Sequence, residues 1–223
     1  MIFFDALGNE LGRMYFTEIE QIIPCFMAGT EVDTPDGPRP VESVRPGDLV
    51  HTLDDGPQIV RWVGHRTLRL ADLLNDPDLR PVEFAAGSLG PDVPDRPLTL
   101  SPQQRLLFSG AECELCFGEV EVLAPAIHLA ERPGVGRPLT PLTYVQRMFD
   151  RHQIVCTHGV WSESFQPGGP MLDAMSELQR KELFRLFPEL ASGQTYVSAR
   201  PTLKAHETRL LALADCDRDV TIR

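Results

Sequence analysis

The sequence predicts a mainly β fold from Cys25 to about Phe165, followed by a helical tail. Three observations lead there. Turn chemistry recurs at short intervals, in TPDGP (34–38), RPGD (45–48) and DDGP (54–57), where Pro presets φ and Gly tolerates φ > 0. Short apolar runs lie between these turns, a spacing that suits a sandwich or barrel-like β fold better than βαβ units. After Pro170 the pattern changes: Leu172, Met175, Leu178, Leu183, Leu186 and Phe187 recur mostly at three- or five-residue intervals, as on one side of a helix with Pro170 tolerated at its opening.

Taken in order, residues 1–24 are a short lead-in with Ile22 and Ile23 just before Pro24. Thr34-Pro35-Asp36-Gly37 is a hairpin turn, and strands are expected at Val41–Val44, Leu49–Leu53 and Ile59–Val63. LADLLNDPDLRP holds a helical turn before a strand at Val82–Ala85. LTLSPQQRLLF reads as two short strands broken at Ser101-Pro102. AECELCFGEVEVL reads as an apolar strand in which Cys113 and Cys116 serve as small hydrophobes. Zinc would need two further ligands at matching spacing, and the sequence has no second such pair. Further strands are expected at Val120–Leu123, Thr143–Phe149 and Gln153–Thr157, with Gly159 marking the next turn. A second tail helix is expected over Leu203–Ala214, after the breaks at Ser192-Gly193 and Pro201. The tail should pack on the β domain, because its apolar face needs cover.

Composition bounds the function. The 223 residues are 42% hydrophobic and 24% charged, enough for a sizeable core without metal or disulfide staples. A net charge of −11 would repel nucleic-acid phosphates, so no nucleic-acid partner is expected. No apolar run reaches membrane-spanning length, so no membrane partner is expected either. The start, MIFFDALGNELGRMYF, lacks the basic leader and apolar stretch of a signal peptide. A cytoplasmic location is the default, with signal-less export open. The five cysteines (25, 113, 116, 156 and 216) are odd in number and lack framework spacing, which fits a reduced compartment.

Cys25 poses a chemical question, since it stands alone after Pro24 at the mouth of a tight hairpin. CFMAGTEVDTPDGPRPVESVRPGDLVHT resembles the opening of a Hint domain, the self-processing module shared by Hedgehog proteins and inteins. LTLSPQQRLL, VLAPAIHL and YVQRMFDRHQIVCTHGVWSESF match further stretches of that family in order. The resemblance covers about residues 24 to 166 and is closest to bacterial Hint-domain proteins. It implies a horseshoe-like β disc with pseudo-twofold symmetry over 25–166, a lead-in like an N-extein over 1–24, and a helical C-terminal extension over 167–223.

The resemblance also implies chemistry. The Cys25 thiol would attack the Pro24 carbonyl, converting an amide to a thioester by an N-to-S acyl shift. The step needs a proton donor for the leaving nitrogen and a donor for the oxyanion. A small thiol or water would then accept the acyl group, and the chain's own N-terminal segment would be the substrate. The family's Thr-x-x-His aligns with Ser101-Pro102-Gln103-Gln104. Ser101 can supply the hydroxyl, whereas Gln104 can orient the scissile carbonyl but cannot deliver a proton near pH 7. His152 matches the closing segment's histidine and is a candidate proton donor, with His128 as the other. An Asp of many inteins aligns with Val145, and the terminal His-Asn of an intein is replaced by Glu163 and Ser164, so full splicing is not expected. The resemblance implies no metal, nucleotide or organic cofactor, and the interval between the segments is too short for a homing endonuclease.

Plainer readings compete. Cys25 could be a buried small hydrophobe, and His152 could hold a loop by hydrogen bonds. Asp48 should close its turn by side chain to backbone bonding. Trp62 and Trp161 read as core anchors, and His158 as a residue tolerating left-handed backbone. The whole domain could be a chemically silent Hint fold serving as an interaction or structural module, or a cysteine hydrolase acting in trans.

Overall fold

Antiparallel pairing of short strands builds the body of the molecule. The computed structural model describes residues 24–168, 175–192 and 197–213, Leu172, and the backbone of two short strands in the lead-in, Ile2–Phe4 and Glu10–Arg13. Those two pair with each other as a separate antiparallel sheet. The opening of the tail at Pro170 and the residue Cys216 lie outside the described residues.

A six-stranded sheet runs in the order Val135–Gly136, Val82–Phe84, Leu98–Leu100, Phe26–Met27, Leu142–Met148, Trp62–Leu68. An eight-stranded sheet runs Glu121–Pro125, Arg105–Ser109, Val160–Glu163, Ile154–Thr157, Glu31–Val32, Arg39–Pro40, with Leu49–Thr52 and Gly56–Ile59 branching from Ile154–Thr157. Phe26, Val50, Leu98, Leu106, Phe108, Val145 and Val155 join in the main apolar cluster. Cys25, Trp62, Tyr144, Met148 and Phe165 form a second one.

The tail packs as its pattern requires. Helix Glu177–Leu186 begins at Ser176, whose Oγ accepts the Gln179 N–H at 3.3 Å. Leu183, Phe187 and Leu190 complete the cluster around Trp62, and the Trp62 indole N–H donates to Glu182 at 3.2 Å. The buried stripe is narrower than the sequence suggests, since Leu178 is 79% exposed. Helix Ala205–Leu213 sends Leu211 into the main cluster, together with Leu203.

Four local expectations are corrected. Val41–Val44 is not a strand: Val41–Ser43 is a 3₁₀ turn, which buries Val41 and Val44 together and is tied by the Ser43 hydroxyl to the Pro40 carbonyl at 2.7 Å. Ile59–Val63 is interrupted because the Val60 N–H donates to Asp48 and its carbonyl accepts from Gly47, both outside the ladder. The CxxC stretch is the helix Ala111–Phe117, ended by Gly118 at φ 72°, and the strand starts only at Glu121. Within this helix Cys113 is buried and Cys116 is exposed. The strand Val160–Glu163, which Gly159 alone did not reveal, pairs Glu163 with Ile154.

Candidate functional site

Pro24 and Cys25 are both buried, at the point where the chain joins the strand Phe26–Met27. Antiparallel pairing of Phe26 with Leu100 sets Ser101 opposite Cys25. Ser101 holds the cysteine backbone at both ends: its N–H donates to the Cys25 carbonyl at 3.0 Å, and its Oγ accepts the Cys25 N–H at 2.9 Å. The nitrogen of the Pro24–Cys25 amide therefore already has a hydroxyl on it. On the sulfur side, the Gln146 carboxamide donates to Cys25 Sγ at 3.3 Å. Burial pushes the Cys25 thiol up to about 12, against smaller opposing effects of Gln146, the Arg66 charge and Ser101. The thiol is thus neutral at pH 7.

Gln146 is the site residue that sequence reasoning missed. Matching an intein Asp to Val145 points at the wrong face by one residue. Val145 joins the main apolar cluster, whereas Gln146, next along the strand, faces Cys25. The period-two rule was the available signal, because Tyr144 and Met148 share the Cys25 cluster. Gly64 lies directly across the ladder from Gln146, and a Cβ there would come within 2.7 Å of Gln146 Oε1. The absent side chain makes room for the Trp62 ring, which would lie nearer still, as well as for the carboxamide.

Gln104 closes the Ser101 turn, its N–H donating to the Ser101 carbonyl at 3.1 Å. Its side chain donates to the Glu163 carbonyl at 2.6 Å. Glu163, fully buried, receives the Arg105 N–H at 3.2 Å and the Arg105 guanidinium at 3.0 Å on its carboxylate. His152 Nε2 lies 3.2 Å from the same carboxylate, close but off-line for a hydrogen bond. Its Nδ1 accepts the Ala199 N–H at 3.0 Å. Ser101 and Gln104 are therefore brought together with Cys25 through one turn, while the contacts of His152 are with Glu163 and the C-terminal segment.

The remaining candidates have structural surroundings. His128 sits on the 3₁₀ turn Ala126–Leu129, its pKa lowered by burial and by Arg209. Asp48 accepts the Arg45 N–H at 3.0 Å, closing its turn as expected. His158 has φ 50°, and its ring bridges the Pro97 carbonyl at 3.0 Å and the Glu31 N–H at 3.1 Å. Ser164 exchanges bonds with Gln153, at 2.8 Å and 2.9 Å. Trp62 is a core anchor, and Trp161 packs partly buried beside Leu107 and Leu123. Among the described residues no three His, Cys, Asp or Glu side chains cluster to hold a metal ion, and no helix is long and apolar enough to cross a membrane.

A β domain with a buried cysteine at its first strand and a hydroxyl on the preceding amide nitrogen defines a class. The family described as "Hint domain" matches residues 24–169, and the chain belongs to it. It is a domain of autoprocessing type. Similar solved structures include the gp41-1 intein (10% identity, 62% of this chain and 97% of that one, TM-score 0.37). The AceL NrdHF class 3 split intein, as a splice-inactive variant, gives 12% identity over 63% and 97%, TM-score 0.41. The bacterial intein-like domain from Clostridium thermocellum gives 12% over 63% and 97%, TM-score 0.38. No curated protein matches the chain.

Proposed function

We propose that this domain cleaves its own chain at Pro24–Cys25 through a thioester, without splicing. The observation that carries the reading is the Ser101 hydroxyl 2.9 Å from the nitrogen that must leave. The Cys25 sulfur attacks the Pro24 carbonyl carbon, forming a C–S bond and a tetrahedral oxyanion. Collapse breaks the C–N bond, and the thiol proton ends on the Cys25 amine, with Ser101 placed to pass it. Water or a small thiol then attacks the thioester and releases residues 1–24. Gln146 supports the sulfur as negative charge develops on it. Gln104 shapes the Ser101 turn, and His152 stands behind Glu163. Splicing is disfavoured because Ser164 stands where an intein's terminal Asn would cyclise.

A silent Hint fold, acting as an interaction or structural module, is the second reading. The Gln104 carboxamide is committed to Glu163, and the thiol is held neutral. Intact mass over time, with and without dithiothreitol or hydroxylamine, separates the two. Nucleophile-accelerated loss of residues 1–24 supports processing, and an unchanged mass supports the silent scaffold. Multiple turnover on a small thioester would instead support a hydrolase acting in trans.

A further inference from the structure

The segment Val197–Lys204 lies beyond the matched Hint region, yet it reaches the buried polar cluster. It is fastened at several points. Leu123 bonds to it on both sides of Thr202: the Leu123 N–H donates to the Pro201 carbonyl and the Leu123 carbonyl accepts the Leu203 N–H, each at 2.8 Å. The resulting parallel bridge, Leu123 to Thr202, covers the outer edge of Glu121–Pro125, the end strand of the larger sheet. Arg200 adds ion pairs to Asp54 and Glu121. Ala199, partly buried against Leu107, Leu123 and Ile154, directs its N–H at His152 Nδ1.

That last bond decides the state of the imidazole. A nitrogen that accepts an N–H cannot carry a proton, so the proton of neutral His152 is on Nε2, facing Glu163. Forming imidazolium would require losing the Ala199 bond.

We infer that this C-terminal strap is a working part of the site, fixing His152 as its neutral Nε2–H tautomer against Glu163. Ala199 and Arg200 are positioning residues: the strap orders His152, whose Nε2 packs against the Glu163 carboxylate that Arg105 holds, and the Glu163 carbonyl accepts the Gln104 carboxamide next to Ser101. The bearing of the strap on cleavage rests on the processing reading proposed above. Its hold on His152 does not.

The test is ¹⁵N NMR of the imidazoles in the full chain, with His152→Gln used for assignment, alongside the rate of release of residues 1–24. In the unmodified chain His152 gives an unprotonated Nδ1 and a protonated Nε2. Ala199→Pro deletes the donor and shifts His152 to a tautomer mixture. Arg200→Ala, a gentler change in case the proline misfolds, loosens the strap and speeds exchange of the Ala199 amide. Release slows about tenfold in Ala199→Pro, the size of one hydrogen bond lost from a network, and Cys25 alkylation is unchanged. A tautomer mixture or an Nδ1–H form in the unmodified chain overturns the inference. A fixed tautomer in a chain that never cleaves keeps the strap and sinks the processing reading instead.

Discussion

Cys25 and Glu163 are both buried, at 2% and 0% exposure, yet they sit in opposite chemistry. Cys25 takes hydrogen bonds from and to the uncharged Gln146 and Ser101. Glu163 is held by Arg105 and approached by His152, so its charge is matched where it is buried. Gln104 joins the two regions. The difference teaches how the fold treats two buried ionisable groups: desolvation dominates at the thiol, which stays neutral, while the carboxylate is paired with Arg105 behind the turn that carries Ser101.

The largest expected effect tests the first region. Cys25→Ala abolishes nucleophile-accelerated loss of residues 1–24, read by intact mass. Next comes an attempt to merge the regions. Gln104→His puts a titratable donor on the Ser101 turn and is expected to raise the cleavage rate, by about 10²-fold if it acts as a general acid. A rate unchanged or lowered would mean that the Glu163 bond of Gln104 matters more than a proton. Glu163→Ala breaks the second region. It leaves the partly exposed Arg105 without its carboxylate and costs about 1.5–3 kcal/mol in denaturant unfolding. A loss under 1 kcal/mol would show that the pairing is not what holds that corner together.

Smaller effects sharpen the contrast. Gln146→Leu removes the donor on the sulfur, moves the thiol further up and slows Cys25 alkylation about tenfold, with little change in unfolding. The pH dependence has a definite sign. With the thiol at about 12 in the folded chain and an ordinary value of 9.0, alkylation of native Cys25 keeps rising with pH through 9 without levelling off. The folded state binds this proton more tightly than the unfolded one. Its contribution to stability is therefore complete below about pH 9 and is lost as pH climbs towards 12. Comparing unfolding of the parent chain and Cys25→Ala across that range isolates the effect.

Much of the fold was legible because turn residues carry their own geometry. The breaks at Ser101-Pro102 and the turn at Asp48 follow from proline and side-chain bonding read locally. The CxxC helix was not, because a seven-residue helix with one buried cysteine offers too few turns for its period to stand out from a strand. The Cys25–Ser101 pairing was reached through family resemblance. Gln146 and the Ala199–His152 bond were not reached at all, for two reasons. One depends on which face of a strand looks at the thiol, and the other joins residues 47 apart through a backbone N–H that no side-chain pattern announces.

The most direct test of a thioester is the chemical form of the peptide it releases. Incubating the purified chain with hydroxylamine and weighing the small fragment decides it. Cleavage through Cys25 predicts residues 1–24 ending in a hydroxamate on Pro24, absent from Cys25→Ala. A fragment ending in a plain carboxylate at another bond, or no fragment at all, would contradict the account.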